Sequence, residues 1–292
     1  MNTPLCKAAI YFALISVLSH TASAGVNLVQ DGNFTSVSYN GTAPSGITTL
    51  FGQFGTGTGS NLTVANWTTS GYNFVFAPGT ADSGTQAHGA NSGQPNEAPG
   101  QYNAGNGFGN TYLYGPNNQA ADGVTGATLP ASSPLGGNFI AADGAYEVGA
   151  LTQTITGLVK NQHYGLTFYW AGVQQESFTG ATTENWTVSL KDSGGNGQSY
   201  TTPSTNLTAT GQFSGWMLQT YYFTATATTE TLSFLASGTP SGEPPFSLLA
   251  NVTLQVVPDF ANWALFGGFG ALCIVAETVR RRRRTGSAFA TV

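Results

Sequence analysis

The sequence predicts an all-β, two-layer sandwich for its central part, and three observations carry that prediction. Apolar residues alternate with polar ones over several short runs. Turn-forming clusters separate those runs. No window shows a helical period. Leu166, Phe168 and Trp170 alternate with Thr167 and Tyr169, and Trp186, Val188 and Leu190 alternate with Thr187 and Ser189. Leu232 and Phe234 flank Ser233, and Val252, Leu254 and Val256 flank Thr253 and Gln255. Period-two alternation rich in aromatic, β-branched and Thr residues marks half-buried strands. Clusters such as Asp192-Ser193-Gly194-Gly195-Asn196-Gly197 are turn chemistry. Several such strands bury their apolar faces by stacking as two sheets.

The stretch 77–138 departs from this pattern. It is rich in Gly, Asn, Ala and Pro. A structureless loop that long is uncommon inside a domain. Short strands joined by surface loops are expected there, with Thr111 to Tyr114 as one of them. A flexible linker is the alternative, disfavoured because too few strands precede it to form a domain.

Composition narrows the function. Charged residues make up 7% of the 292 residues, while 40% are hydrophobic and 12% aromatic. Soluble domains usually carry roughly 25% charge. Disorder does not explain the shortfall, because disordered chains lack aromatics. Residues 25–257 hold two lysines, Lys160 and Lys191, no arginine and eleven acids, a formal charge of −9. Nucleic-acid binding is excluded, since phosphate neutralisation needs Lys and Arg. Cys6 and Cys273 both lie in the apolar ends, which leaves the domain without a disulfide or a thiolate site.

The two ends read as export machinery. Lys7, an apolar run over 8–18 and Ala22-Ser23-Ala24 make the three parts of a signal peptide, with cleavage expected after Ala24. An uncleaved anchor is the alternative, and the run is short for a span. At the other end Val257-Pro258-Asp259-Phe260-Ala261-Asn262-Trp263-Ala264 leads into an apolar stretch ending at Val279, followed by Arg280, Arg281, Arg282, Arg283 and Arg284. Trp263 suits a membrane interface and the arginines suit the cytoplasmic side. One C-terminal transmembrane helix follows from this order. The alternative, a buried helix with a basic tail, lacks an amphipathic face.

This tail resembles the PEP-CTERM sorting signal of Gram-negative bacteria, in the variant that begins Pro-Glu-Pro-x-x-Trp-Ala. Pro258, Trp263 and Ala264 match; Asp259 stands where Glu is usual and Phe260 where the second Pro is usual. The resemblance implies an exosortase as partner, insertion in the membrane facing the periplasm, and processing near Val257. Release to the cell surface or the extracellular matrix would follow. The segments are then a signal peptide at 1–24, an exported domain at 25–257, a sorting signal at 258–284 and a cytoplasmic tail at 285–292.

The exported domain resembles galactose-binding-like jelly rolls, among them carbohydrate-binding modules. Asn27-Leu28-Val29-Gln30-Asp31-Gly32-Asn33-Phe34 looks like their first strand and turn, and Asn66-Trp67 like the Trp after the second. Tyr146 to Ile155 looks like the start of their central part, and Pro244 to Leu254 like their closing strand. Such modules often hold a structural calcium with one acid after the first turn and another on the closing strand. Those positions are Thr35 and Asn251 here, with Asp31 the nearest acid, so no cofactor is expected.

Catalytic patterns are absent: there is no His-Glu-x-x-His and no Gly-x-Ser-x-Gly. A glycosidase needs two placed carboxylates, and Asp143, Glu147, Glu176 and Glu184 exist without a spacing that relates them. Saccharide binding has better material, because aromatic faces stack on sugars while amides and carboxylates fix hydroxyls. Trp170 and Trp186 fall on the core face of their strands. Trp67 and Trp216 border loops and are the ligand-binding candidates, with Tyr112, Tyr114 and Tyr169 as further aromatics. The expected function is a non-enzymatic surface or matrix protein that contacts exopolysaccharide. A structural or adhesive matrix protein without a saccharide pocket is the alternative, and a secreted hydrolase the third reading.

Overall fold

The computed structural model describes residues 25–41, 49–57, 60, 62–83 and 111–257. The expected signal peptide, the sorting signal with its helix and arginines, and the Gly-rich loop at 84–110 lie outside them. Residues Asn27–Val256 form one compact unit. No α-helix occurs among the described residues, and no helix there is long and apolar enough to cross a membrane.

The alternating runs are strands with one face inward. In β7 (His163–Gln174) Tyr164, Leu166, Phe168 and Trp170 point into the core, and Gly165, Thr167 and Tyr169 point out. In β8 (Thr183–Lys191) Trp186, Val188 and Leu190 point in, as do Leu232, Phe234 and Ala236 of β11 (Thr229–Thr239). These side chains meet between two sheets, where each large one contributes about 1.5–3 kcal/mol by leaving water.

The remaining strands are β1 (Val37–Tyr39), β2 (Gly52–Gln53), β3 (Leu62–Val64), β4 (Asn73–Phe76), β5 (Phe139–Asp143), β6 (Leu151–Thr156), β9 (Gly197–Thr201), β10 (Met217–Thr224) and β12 (Pro245–Val256). One sheet runs β10-β7-β12-β5-β4-β2, the other β6-β11-β8-β9, and β1 pairs with β3. From β5 onward the chain crosses between the two large sheets at nearly every connection. Only the β8–β9 hairpin stays within one sheet. This is jelly-roll wiring, and every pairing within a named sheet is antiparallel. The β12 register against β7 shifts between Ala250 and Thr253, where Asn251 takes φ 52°. This irregularity bends the strand.

A second apolar cluster lies on the outer face of the six-stranded sheet. Phe74, Phe76, Phe139, Ala171, Val173, Phe246 and Leu248 are buried there under Ala81, Tyr112, Leu113 and Leu129. The stretch 77–138, where described, therefore covers the sheet instead of looping through solvent. Its expected strand at Thr111 to Tyr114 shrinks to one bridge, Leu113 to Gln175. Side chains replace a ladder elsewhere. The Asp82 carboxylate accepts from the Asn117 backbone N–H at 3.1 Å and its Nδ2 at 3.0 Å. Asn118 Nδ2 donates to the Leu113 carbonyl at 2.9 Å.

Candidate functional site

The tryptophans separate by depth. Trp170 and Trp186 are core residues, as their alternation predicts, and Trp186 Nε1 donates to the Leu248 carbonyl at 2.9 Å. Trp67 corrects the sequence reading. It is only 3% exposed, its ring packs on Phe34 at 5.3 Å and Phe234 at 6.3 Å, and its Nε1 donates to the Asp31 carbonyl at 3.1 Å. A ring enclosed in this way offers no face to a ligand. Tyr112 and Tyr114 are buried as well.

Trp216 is different. It precedes β10 and is half-buried. Its ring meets Phe139 edge-on at 5.7 Å and Phe213 at 6.1 Å. Its buried Nε1 has no hydrogen-bond partner among the described residues. Strand geometry places residues two apart on one face, so Trp216, Leu218, Thr220, Tyr222 and Thr224 share the outer face of β10. Leu218 and Tyr222 are 60% and 61% exposed. The register sets Leu218 beside Tyr169, Thr220 beside Thr167, and Thr224 beside His163. On the far side Thr253 pairs with Thr167 and Gln255 with Gly165.

The result is an open strip on β10, β7 and β12, next to the covered half of the same sheet. Trp216, Tyr169 and Tyr222 supply aromatic surface. Thr167, Thr220 and Thr253 form one cross-strand row, with Thr167 and Thr253 hydroxyls 2.5 Å apart. Thr224 Oγ1 lies 2.9 Å from His163 Nδ1 at the end of the strip. No carboxylate occupies any of these positions. Tyr222 escaped sequence reading because it sits within Tyr221-Tyr222-Phe223, where three aromatics in a row conceal the alternation.

The carboxylates do not gather into one open cleft. Asp143 lies on the outer face beside Phe246. Its Oδ1 accepts from the Ala145 and Tyr146 backbone N–H groups at 2.8 and 3.0 Å, while buried Oδ2 has no partner among the described residues. Glu184 lies on the opposite side of that sheet, between the layers, with Thr205 Oγ1 donating to its Oε2. Glu176 is buried beside Ser177, whose Oγ donates to it at 3.0 Å. Glu147 is on the exposed β5–β6 loop.

Burial pushes both Asp143 and Glu184 up to about 6. Each therefore binds its proton more tightly in the folded chain than in the unfolded one. The stability they add is full below the ordinary carboxylate range and is lost as pH rises through about 6. The unfolding free energy from urea denaturation is expected to be higher at pH 4.5 than at pH 7, by on the order of 2 kcal/mol for each group, and the midpoint higher with it. Glu184→Gln should flatten that slope. A midpoint that climbs from pH 4.5 to 7 would contradict the assignment.

The calcium position implied by the jelly-roll resemblance is a cleft of about 340 Å³ lined by Asn27, Asp31, Asn33, Leu135 and Asn251, among others. Its residues do not fit the ion. Asp31 accepts from Thr35 N–H at 3.0 Å and Ser36 N–H at 3.2 Å. Asn251 Oδ1 accepts from Leu135 N–H at 3.3 Å, and Nδ2 donates to the Gly136 carbonyl at 3.0 Å. One carboxylate already engaged by backbone is poor material for a hard cation. Among the described residues no three His, Cys, Asp or Glu side chains gather as a metal site.

No family model matches the chain, and no curated protein matches it. Solved structures overlap part of it. The TmCBM61 module in complex with β-1,4-galactotriose is 12% identical, with 43% of this chain and 75% of that one covered and a TM-score of 0.29. The CBM22-1 xylan-binding domain from Paenibacillus barcinonensis Xyn10C is 14% identical, with 46% and 80% covered and a TM-score of 0.30. The enzymatically active domain of Bacteriophage CBA120 tailspike protein 4 is 18% identical, with 45% of this chain but 17% of that chain covered and a TM-score of 0.28. At that level of superposition none of these likenesses carries a ligand or an activity across, and the fold rests on the strand order described above.

Proposed function

We propose that the chain is a non-enzymatic, exported surface or matrix protein whose jelly-roll domain binds saccharide through the strip of Trp216, Tyr169 and Tyr222. The observation that carries this reading is the strip itself: aromatic rings and threonine hydroxyls share one open run of positions, none of them a carboxylate. Sugars offer apolar faces for the rings and hydroxyls for the threonines and Gln255. Delivery belongs to the ends of the sequence. The signal peptide exports the domain, the tail at 258–284 holds it facing the periplasm, and an exosortase cuts near Val257 to free it.

The alternative is a structural or adhesive protein with no saccharide pocket. It is favoured by the core placement of Trp67, Trp170 and Trp186, and by the openness of the strip. A tryptophan-fluorescence titration of the full chain in neutral detergent separates the two. A saturable shift with one polysaccharide is expected. It should weaken about tenfold, or ~1.4 kcal/mol, in Trp216→Ala or Tyr222→Ala. No response to any polysaccharide would leave the structural reading standing.

A further inference from the structure

We infer that the strip takes an uncharged, extended polysaccharide lying along β10, and that the domain rejects polyanionic polymers. This rests on the saccharide reading above and narrows its ligand.

The length argument comes from strand geometry. Trp216 and Tyr222 are six residues apart, about 20 Å along an antiparallel strand, and three strands give the strip a width of about 10 Å. Exposed Leu218 and row-forming Thr220 lie between the two rings. The strip adjoins the covered half of the sheet at its Trp216 end and is exposed at Leu218 and Tyr222, so its two rings and the row between them make repeated contacts with a chain laid along β10. A single sugar unit reaches only one ring.

The charge argument comes from what surrounds the strip. Recognition of carboxylate, sulfate or phosphate uses Arg or Lys as donors. Residues 25–257 contain no arginine. Lys191 is on the other sheet, level with Thr231 of β11. Lys160 lies in the turn before β7, beyond the strip, and His163 is the one basic side chain on the strip positions themselves. Eleven acids in the same stretch set a negative field around it. A polyanion would meet like charge with almost nothing to pair. Hydrogen bonding to a sugar hydroxyl needs no charge, and the Thr167, Thr220 and Thr253 hydroxyls and the Gln255 amide supply it.

The test is fluorescence titration and affinity electrophoresis of the full chain in neutral detergent, with Arg280, Arg281, Arg282, Arg283 and Arg284 changed to Gln so that the tail offers polyanions no positive charge. The probes are soluble neutral glucan, xylan and galactan, polygalacturonate and alginate as polyanions, and oligosaccharides of increasing length. At least one neutral polymer should bind, with affinity that changes less than about twofold with added salt. Oligomers should tighten with length and then level off. Polyanions should bind at least tenfold more weakly, ~1.4 kcal/mol. The Thr167→Lys/Thr220→Lys variant should gain polyanion binding that falls steeply with salt. A polyanion bound as tightly as any neutral polymer would overturn this ligand class and leave saccharide binding intact. A monosaccharide bound as tightly as the long oligomers would overturn the lengthwise placement. Binding to none of the probes would remove both this inference and the saccharide function.

Discussion

Phe234→Ala is expected to lower the unfolding free energy by about 3–5 kcal/mol. Phe234 is fully buried on the inward face of β11. Its ring meets Phe168 edge-on at 5.2 Å, Trp186 edge-on at 6.0 Å and Trp67 at 6.3 Å. Those partners come from both sheets and from the segment before β4, so one truncation opens a cavity where three parts of the chain converge. Aromatic pairs add about 0.5–1.5 kcal/mol beyond area alone. The neighbouring Leu235 is 38% exposed on the other face of the same strand. Leu235→Ala should therefore cost well under half as much. Urea denaturation followed by circular dichroism compares the two, and equal losses would mean that the facing of β11 is wrong.

The second large effect is expected from Gly172→Ala. A Cβ at this position would stand 2.5 Å from Thr205 Oγ1 and closer still to Glu184 Oε2. Thr205 hydrogen-bonds that carboxylate, so the new methyl must push apart a buried hydrogen-bonded pair. Overpacking costs typically 1–3 kcal/mol, and a displaced buried carboxyl adds its own desolvation. A loss of about 3 kcal/mol is the expected result. The clash also predicts non-additivity. Gly172→Ala/Glu184→Ala should lose less than the two single changes summed, by about 1–2 kcal/mol. Strict additivity would show that the methyl and the carboxylate do not meet.

How legible this fold is depends on how many faces of a strand are buried. Residues 164–170, β8 and β11 have one wet face, and their alternation is plain in the sequence. Residues 171–174, β4, β5 and the first half of β12 have both faces covered. Phe246, Leu248 and Ala250 point to one cluster while Leu249 points to the other. The run Phe246-Ser247-Leu248-Leu249-Ala250 therefore shows no period of two. The same cover explains why 77–138 resembled surface loops. It contributes Ala81, Tyr112, Leu113 and Leu129 singly, too sparsely to register as a strand or helix.

The proposed strip was legible in part. Trp216 and Tyr169 stood among the aromatic candidates, and both border the strip. Trp67 did not, because a residue beside a turn faces either way. Asn66 takes φ 66°, and the chain reversal there sends the Trp67 ring inward. No local pattern separates that outcome from its opposite. The terms that place Tyr222 on the surface are likewise non-local, since they depend on β10 being the outermost strand of its sheet.

That outermost position has a consequence for crowding. An edge strand leaves backbone groups that another chain can pair with. Here Tyr200 Oη donates to the Tyr222 carbonyl at 2.9 Å, and Gln198 Oε1 accepts from Thr224 N–H at 2.6 Å. Gln219 Nε2 donates to the Thr220 carbonyl at 3.2 Å. Side chains thus stand in for the missing neighbouring strand along the second half of β10. Copies packed closely together meet a boundary whose adhesive template is already engaged along that half, which turns contacts there toward side chains and away from continuous sheet growth.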